Sequence, residues 1–584
     1  MCQKEPPSST VPPTTSSSLF SIQSLNEFRS QCRTSLPTLC GMLLYRAPWL
    51  ISLSFVGSIG PMELAAAALA TTLCNVTGLS LSVGLSSALT TLSGQARGDL
   101  LARGKSRTKE RSEGDVECVS RQEGNGIHEN SDESTKLLNH GNSAYHAIHK
   151  NNTPKEEEEE EEALMPLVYL YRAMFIQLLF VVPVGIWWII GIKPALIMLG
   201  QGEELSGMTQ TYLRILTPGL WSYSINWTVT TWLQCIEMAD VPAFAAFLGC
   251  SLHIPMNLLF IHVFGWGYKG VGAATVLFQL AQPVSTILYL CGTKHGRTRL
   301  LEHTGAKGIG RTHLSFKKEV IAAITSLKGI FQYLQLALPG IVIISEWWAS
   351  EITIFLAGRL QPNPEYALGA MSIYQSINSA CFMFPVAFSI AGSARIGNLI
   401  GANDPNGADL ASRVCVMSAA LLSFTLGLTL YLLPDRFIPS LFTSDEGIVS
   451  ETSRTIPLLS VYVFADGIQT ALNGVMKGCG RQRSIWPIVI VAYWIVGMPL
   501  SYYLAFIRHD GYMCDDHYFC GIVGLVGGTT TGTWVHLILL ALLVVCTTNW
   551  DKEAKKAQER LSLEKRKNAV DDGCEIDVNG SSAA

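Results

Sequence analysis

The stretch S-V-G-L-S-S-A-L-T-T-L-S-G-Q-A-R-G at residues 82–98 returns, altered but in step, as P-V-A-F-S-I-A-G-S-A-R-I-G-N-L-I-G at residues 385–401. Val83 stands against Val386, Ser86 against Ser389, Ala88 against Ala391, Gly94 against Gly397, Gln95 against Asn398 and Gly98 against Gly401, each 303 positions apart. A second set, Pro218, Tyr223, Thr231, Leu233 and Gln234, reappears as Pro457, Tyr462, Thr470, Leu472 and Asn473 at an offset of 239. The offsets 303 and 239 differ by 64, close to the length of a charged segment at about 99–163 that only the first half carries. Without that segment the chain is two similar halves, and a repeat of this size is the first thing a fold has to accommodate.

Composition says what the halves are made of. The chain has 584 residues, 48% of them hydrophobic and 15% charged, with mean hydropathy +0.28. Those values point to a polytopic membrane protein. Apolar runs of spanning length fall at about 38–59, 64–96, 165–191, 208–232, 242–264, 270–292, 333–358, 366–392, 409–433, 453–477, 485–507 and 521–547, since crossing a bilayer takes roughly 20 residues of helix. The expected fold is therefore all-α: twelve transmembrane helices in two pseudo-symmetric bundles of six. Six is even, so both halves enter the membrane in the same direction, a parallel repeat about an axis along the membrane normal.

Lys and Arg set the orientation. Arg103, Lys105, Arg107, Lys109 and Arg111 follow the second run, Lys294 to Lys328 the sixth, and Lys477, Arg481 and Arg483 the tenth, and the tail after Trp550 is basic. Both termini are expected in the cytoplasm. The net charge of −4 names no partner, because the seven acids of Glu156–Glu162 alone account for it; without them it is +3. Residues 1–36, rich in Ser, Thr and Pro, read as a disordered tail without a secretory signal, and 99–163 as a disordered insertion. Residues 293–330 read as a basic linker between a 37–292 lobe and a 331–548 lobe, able to meet anionic lipid heads, and 549–584 as a cytoplasmic tail. Most of the fifteen cysteines lie in apolar runs as small fillers. Cys514 and Cys520 share one polar loop where a disulfide or two free thiols would fit.

The seventh run carries two carboxylates in S-E-W-W-A-S-E, Glu346 and Glu351, with Trp347 and Trp348 between them. Acids in hydrocarbon are costly and point to function. Helix geometry puts the two roughly 140° apart and about 7 to 8 Å along the axis, so one is expected in a cavity and the other hydrogen-bonded within its bundle. Asp466, Gln469 and Asn473 share one face of the tenth run. Their alternative role is polar packing. Tyr374, Asn378 and Tyr493 sit mid-helix as hydrogen-bonding partners. Arg46, midway along the first run, is expected to pair with a carboxylate or to snorkel, with contact to an anionic cargo as the third option. His253 and His536 are lone histidines read as packing residues, and the N-x-T sites at Asn75 and Asn226 lie in spans, where glycosylation is not expected.

Several further stretches bear on identity: F-V-G-S-I-G at Phe55–Gly60, L-A-T-T-L-C-N-V-T-G at Leu69–Gly78, L-F-T-S-D at Leu441–Asp445, G-C-G-R-Q at Gly478–Gln482, Y-W-I-V-G-M-P at Tyr493–Pro499 and T-N-W-D-K-E-A at Thr548–Ala554. With the repeat, they make the chain resemble the eukaryotic branch of the multidrug and toxin extrusion (MATE) family, from about residue 37 to 554 apart from the insertion. The resemblance implies V-shaped lobes and an antiporter that expels organic cations or other bulky metabolites against protons. It carries over Glu346, Glu351 and Asp466 as the groups coupling solute to proton, and Asn75 as a polar position of the central cavity. The sequence departs from the family at Ser58, where His is usual, and at Ser376 and Thr90, where relatives carry acids. The helix-one aspartate of prokaryotic members is also absent.

These readings converge on a proton-driven exporter of small organic solutes, with Trp347, Tyr374, Asn378, Gln469, Asn473 and Tyr493 supporting the cavity. An organic-anion exporter of the same fold is the alternative, and a membrane-embedded transferase lacks a nucleophile with its base. No cofactor, metal or nucleic acid is called for. The partners are the solute, protons (sodium being the other candidate ion) and the lipid bilayer. The chain is expected to act as a monomer in a plasma or organellar membrane.

Overall fold

The structure, a computed structural model, describes residues 22–124, 163–198, 200–311, 316–514 and 516–571. Each of the twelve apolar runs is a long helix. The first six are α1 (Ile22–Gly57), α2 (Pro61–Cys74, continued through a π-helical turn at Asn75–Leu79 into Ser80–Gly124), α3 (Met165–Ile190), α4 (Glu203–Cys235), α5 (Asp240–Leu258, extended by a π turn at Leu259–Val263) and α6 (Tyr268–Gly292). The second six are α7 (Leu327–Ala357), α8 (Pro364–Gly401), α9 (Pro405–Leu432), α10 (Ile456–Cys479), α11 (Gln482–Val489, running through π turns at Ile490–Gly497 and Tyr503–Ile507) and α12 (Gly521–Thr547). A last helix, α13 (Trp550–Asp571), follows the repeat.

Ten of these helices are long and apolar enough to cross a membrane, and Glu446–Ser453 with α10, bent by 49°, makes an eleventh. The remaining one, α4, is 33 residues long but too polar to qualify by composition. The reason is local: Asn226, Thr230, Thr231 and Gln234 of α4 face the interior cavity described below, and residues that face water need not be apolar.

Helices α1–α6 pack together as one lobe and α7–α12 as a second, with α2 and α8 crossing between them. The crossing is where the repeat meets itself. Gly94 lies against Gly397, a Cβ on Gly98 would sit 1.9 Å from the Asn398 carbonyl oxygen, and one on Gly401 would sit 2.0 Å from that of Gln95. Those are the residues matched at offset 303, so the pseudo-twofold axis passes through this contact. Only residues without a side chain allow two helix backbones so close.

Four segments differ from the expectation. The amino-terminal tail is helical from Ile22, because Phe28 stacks on Phe388 and the Gln31 amide donates to the Ala411 carbonyl at 2.9 Å. Averaged composition over residues 1–36 hides that amphipathic stretch; residues 1–21 lie outside the described residues. The charged insertion begins as an unbroken continuation of α2 to Gly124, since Lys, Arg and Glu favour helix as well as solvation. The remainder, up to residue 162, is outside the described residues. The linker is packed rather than loose. It forms helices Lys294–His303 and Phe316–Thr325, held where Arg97 and Arg107 donate to the carbonyls of His303 and Ile309 and Arg311 pairs with Glu319. Likewise the tail is α13, which spans both lobes: Ala557 packs in an α8–α10 cluster, whereas Leu561 joins the core of the first lobe. Arg172 of α3 and Glu564 of α13 form an ion pair at 2.7 Å, sealed from solvent.

Candidate functional site

A cavity of about 230 Å³ lies between the lobes, walled by α1, α2 and α4 on one side and by α7, α8, α10 and α11 on the other. From α7 come Glu346, Trp347, Trp348, Ser350 and Glu351. Both acids therefore reach the same cavity, in place of the expected division between a cavity and the bundle interior. The 140° separation still holds; the cavity wraps around α7, whose Trp348 indole donates to Ser80 Oγ of the other lobe at 3.1 Å. Glu351 has no hydrogen bond or ion pair among the described residues.

Behind Glu346 is a polar cluster in the second lobe. Asp466, buried, accepts from the Gln469 amide at 2.8 Å, and the same nitrogen reaches Tyr493 Oη at 3.3 Å. Tyr493 Oη in turn lies 3.2 Å from Thr533 Oγ1. Glu346 Oε2 stands 3.7 Å from Nδ1 of His536 on α12, whose ring meets Tyr493 edge to face. Among the described residues, Glu346 Oε2 and both His536 nitrogens lack a hydrogen-bond partner. Glu346 therefore stands at the cavity wall with a second acid, an imidazole and a phenol packed behind it.

The remaining candidates divide. Asn75, Trp347, Asn378 and Tyr493 line the cavity, and Gln469 backs it. Tyr374 does not line it: one turn from Asn378, it packs with Met371 and Tyr462. Asn473 lies two turns beyond Asp466 toward the closed end described below and is buried outside the cavity. Tyr462, Thr533 and His536 are the members that sequence reasoning missed. His536 had one signal, a lone imidazole in an apolar helix, but its partner is 190 positions away.

On the first lobe Arg46 lines the cavity, exposed to it, and makes no hydrogen bond or ion pair among the described residues. The expected pairing is not made. Trp49, Tyr223, Asn226 and Trp227 complete that wall.

The cavity is closed at the end that carries the carboxyl-terminal ends of α2, α8 and α10. Hydrogen bonds between lobes run from Trp348–Ser80 through Tyr333 Oη to the Leu85 carbonyl and Gln482 to Thr91, then Gln95 to the Gly478 carbonyl and Asn398 to Cys235 and Glu237. Glu237, in the turn after α4, sits at φ 59°. It pairs with Arg97 of α2 at 3.1 Å and lies 3.9 Å from Arg395 of α8, which also bonds Glu27 of α1. Burial raises the Glu237 carboxyl, but Arg97 foremost, then Arg395 and His303, outweigh it and hold it below its ordinary value.

The MatE family model matches residues 37–100, 165–259 and 340–503. Protein DETOXIFICATION 16 of Arabidopsis thaliana is 28% identical over 550 residues, 94% of each chain. Protein DETOXIFICATION 39 of the same plant is 29% identical over 398 residues, 68% of this chain and 72% of that one. Among solved structures, the eukaryotic MATE transporter AtDTX14 superposes with a TM-score of 0.71 at 23% identity, covering 92% of this chain and all of that one. The Vibrio cholerae MATE transporter VcmN, in its bent form, superposes at 0.64 and 14% identity, covering 94% of this chain and 99% of that one. Two lobes of six helices, a shared polar cavity and a family model matched across more than half of the residues lead to one conclusion: this chain belongs to the MATE family and is a multi-pass membrane transporter.

Proposed function

We propose that this transporter expels small organic solutes from the cytoplasm in exchange for protons, by alternating exposure of the cavity between the lobes. The observation that carries the reading is the placement of Glu346 at the cavity wall, 3.7 Å from His536 Nδ1 and backed by the Asp466–Gln469–Tyr493 hydrogen bonds. A carboxyl at the cavity edge, beside Asp466 and His536, can hold either a proton or the cationic group of a solute. If the loaded forms reorient and the empty anion does not, exchange follows. The Lys and Arg distribution favours a cytoplasmic closed end, so the cavity of this conformation faces the outer or lumenal side.

Proton rather than sodium is favoured because His536 places a nitrogen against Glu346, whereas hard cations prefer cages of oxygen. No cofactor enters the scheme, and the cavity belongs to one chain, so a monomer suffices. The test is flux in proteoliposomes under an imposed pH difference, with tetraethylammonium as cation probe and citrate as anion probe. Proton-driven movement of either supports exchange; movement driven by a sodium gradient alone, at equal pH, refutes the proton assignment. Export of organic anions is the second reading, favoured by the free Arg46.

A further inference from the structure

Arg46 and Glu351 are opposite charges on opposite lobes that face one cavity and are not joined. An arginine halfway along a membrane helix ordinarily finds a carboxylate. Glu351 lines the same cavity as Arg46, yet no ion pair links them among the described residues. The exchange cluster of Glu346, Asp466 and His536 lies on another face of α7 and leaves Glu351 uncommitted.

We infer that the cavity is built for amphoteric solutes, whose anionic group meets the Arg46 guanidinium while their cationic group meets Glu351. The guanidinium fork suits a carboxylate bidentately, and Trp347, one residue above Glu346 and facing the same space, offers a ring face to a cation. This rests on the reading that the cavity holds the cargo. Because Arg46 rides on α1 and Glu351 on α7, a solute carrying both charges touches both lobes at once. A singly charged solute engages only one of the two and forgoes one charge-assisted contact.

The test uses full-length protein in nanodiscs and three compounds of one ring size: zwitterionic N-methylnicotinate, cationic N-methylnicotinamide and anionic nicotinate. Radioligand binding near neutral pH should favour N-methylnicotinate by about tenfold or more over either of the others, the worth of one charge-assisted contact. Arg46→Gln should erase its advantage over N-methylnicotinamide, and Glu351→Gln its advantage over nicotinate, each variant eluting as the parent does on gel filtration. N-methylnicotinate binding no tighter than the singly charged compounds, or absent, overturns the inference, as does an unchanged ranking in either variant. The two readings separate cleanly. The expected ranking without proton-driven flux of N-methylnicotinate in proteoliposomes refutes exchange and leaves the selectivity standing; proton-driven flux of N-methylnicotinamide with no zwitterion preference does the reverse.

Discussion

Replacing Gly98 by alanine should turn the transporter toward its other face. The new Cβ would lie 1.9 Å from the Asn398 carbonyl oxygen, a backbone atom that no rotamer change can move. To restore van der Waals contact, α2 and α8 must part by more than about 1 Å. That separation stretches three bonds at the closed end: Thr91 to the Lys477 carbonyl, Gln95 to that of Gly478 and Asn398 to that of Cys235. At about 1 kcal/mol net for each bond, this conformation loses about 3 kcal/mol against one in which the lobes are already apart there. A shift of that size changes the population ratio by about two orders of magnitude. Gly94→Ala is the control, because its Cβ would meet Gly397 Cα at 3.5 Å, an ordinary contact. Nitroxides placed at the exposed Ser58 and Asn363 through a ketone-bearing unnatural residue report the distance across the open end by double electron–electron resonance. Gly98→Ala should shorten it and Gly94→Ala should not; matching distributions in Gly98→Ala and the parent would refute the steric reasoning.

Glu346→Gln keeps the shape of the side chain but cannot titrate, so flux driven by a pH difference should fall to the protein-free background while the thermal midpoint moves by no more than about 2 °C; retained flux removes Glu346 from coupling. Arg172→Ala breaks the sealed ion pair with Glu564, which should cost about 3–5 kcal/mol, seen as a lower melting temperature and faster proteolytic release of α13. The double change Arg172→Met with Glu564→Leu should recover most of that loss. Glu237 titrates below its ordinary 4.5 in the folded protein. Its contribution to closure is complete above that value and lost as pH falls through the lower, folded-state value. Glu237→Gln should flatten the acid limb of closed-end stability, measured by hydrogen exchange at α2 and α8, and an unaltered limb would refute the assignment.

What the sequence made legible was whatever repeats or is costly. Gly94, Gly98, Gly397 and Gly401 declared themselves by their register, and Glu346 and Asp466 by standing in hydrocarbon. Relationships across the fold stayed hidden. Nothing near His536 in the chain marks it as the neighbour of Glu346. The free state of Arg46 depends on a cavity that hydrophobic runs do not outline. The polarity of α4 looked like a weak span until its Asn and Thr residues were seen to face the cavity. Composition misjudged Ile22–Leu36 and α13 because both are amphipathic helices stabilised by distant partners, Ala411 and Phe388 for one and Arg172 for the other, and packing of this kind overrides local preference.

Helix α13 leaves the molecule with two tethers between its halves, the Lys294–Thr325 connection and the carboxyl-terminal strap, both on one side of the bilayer. Separation of the halves on that side is bounded by how far folded chain can stretch or unlatch, while among the described residues the opposite side has no such leash. Rocking should accordingly be lopsided, with a narrow throat on the tethered side and a wide mouth on the free one. A bulky molecule would then be admitted slowly and let go fast.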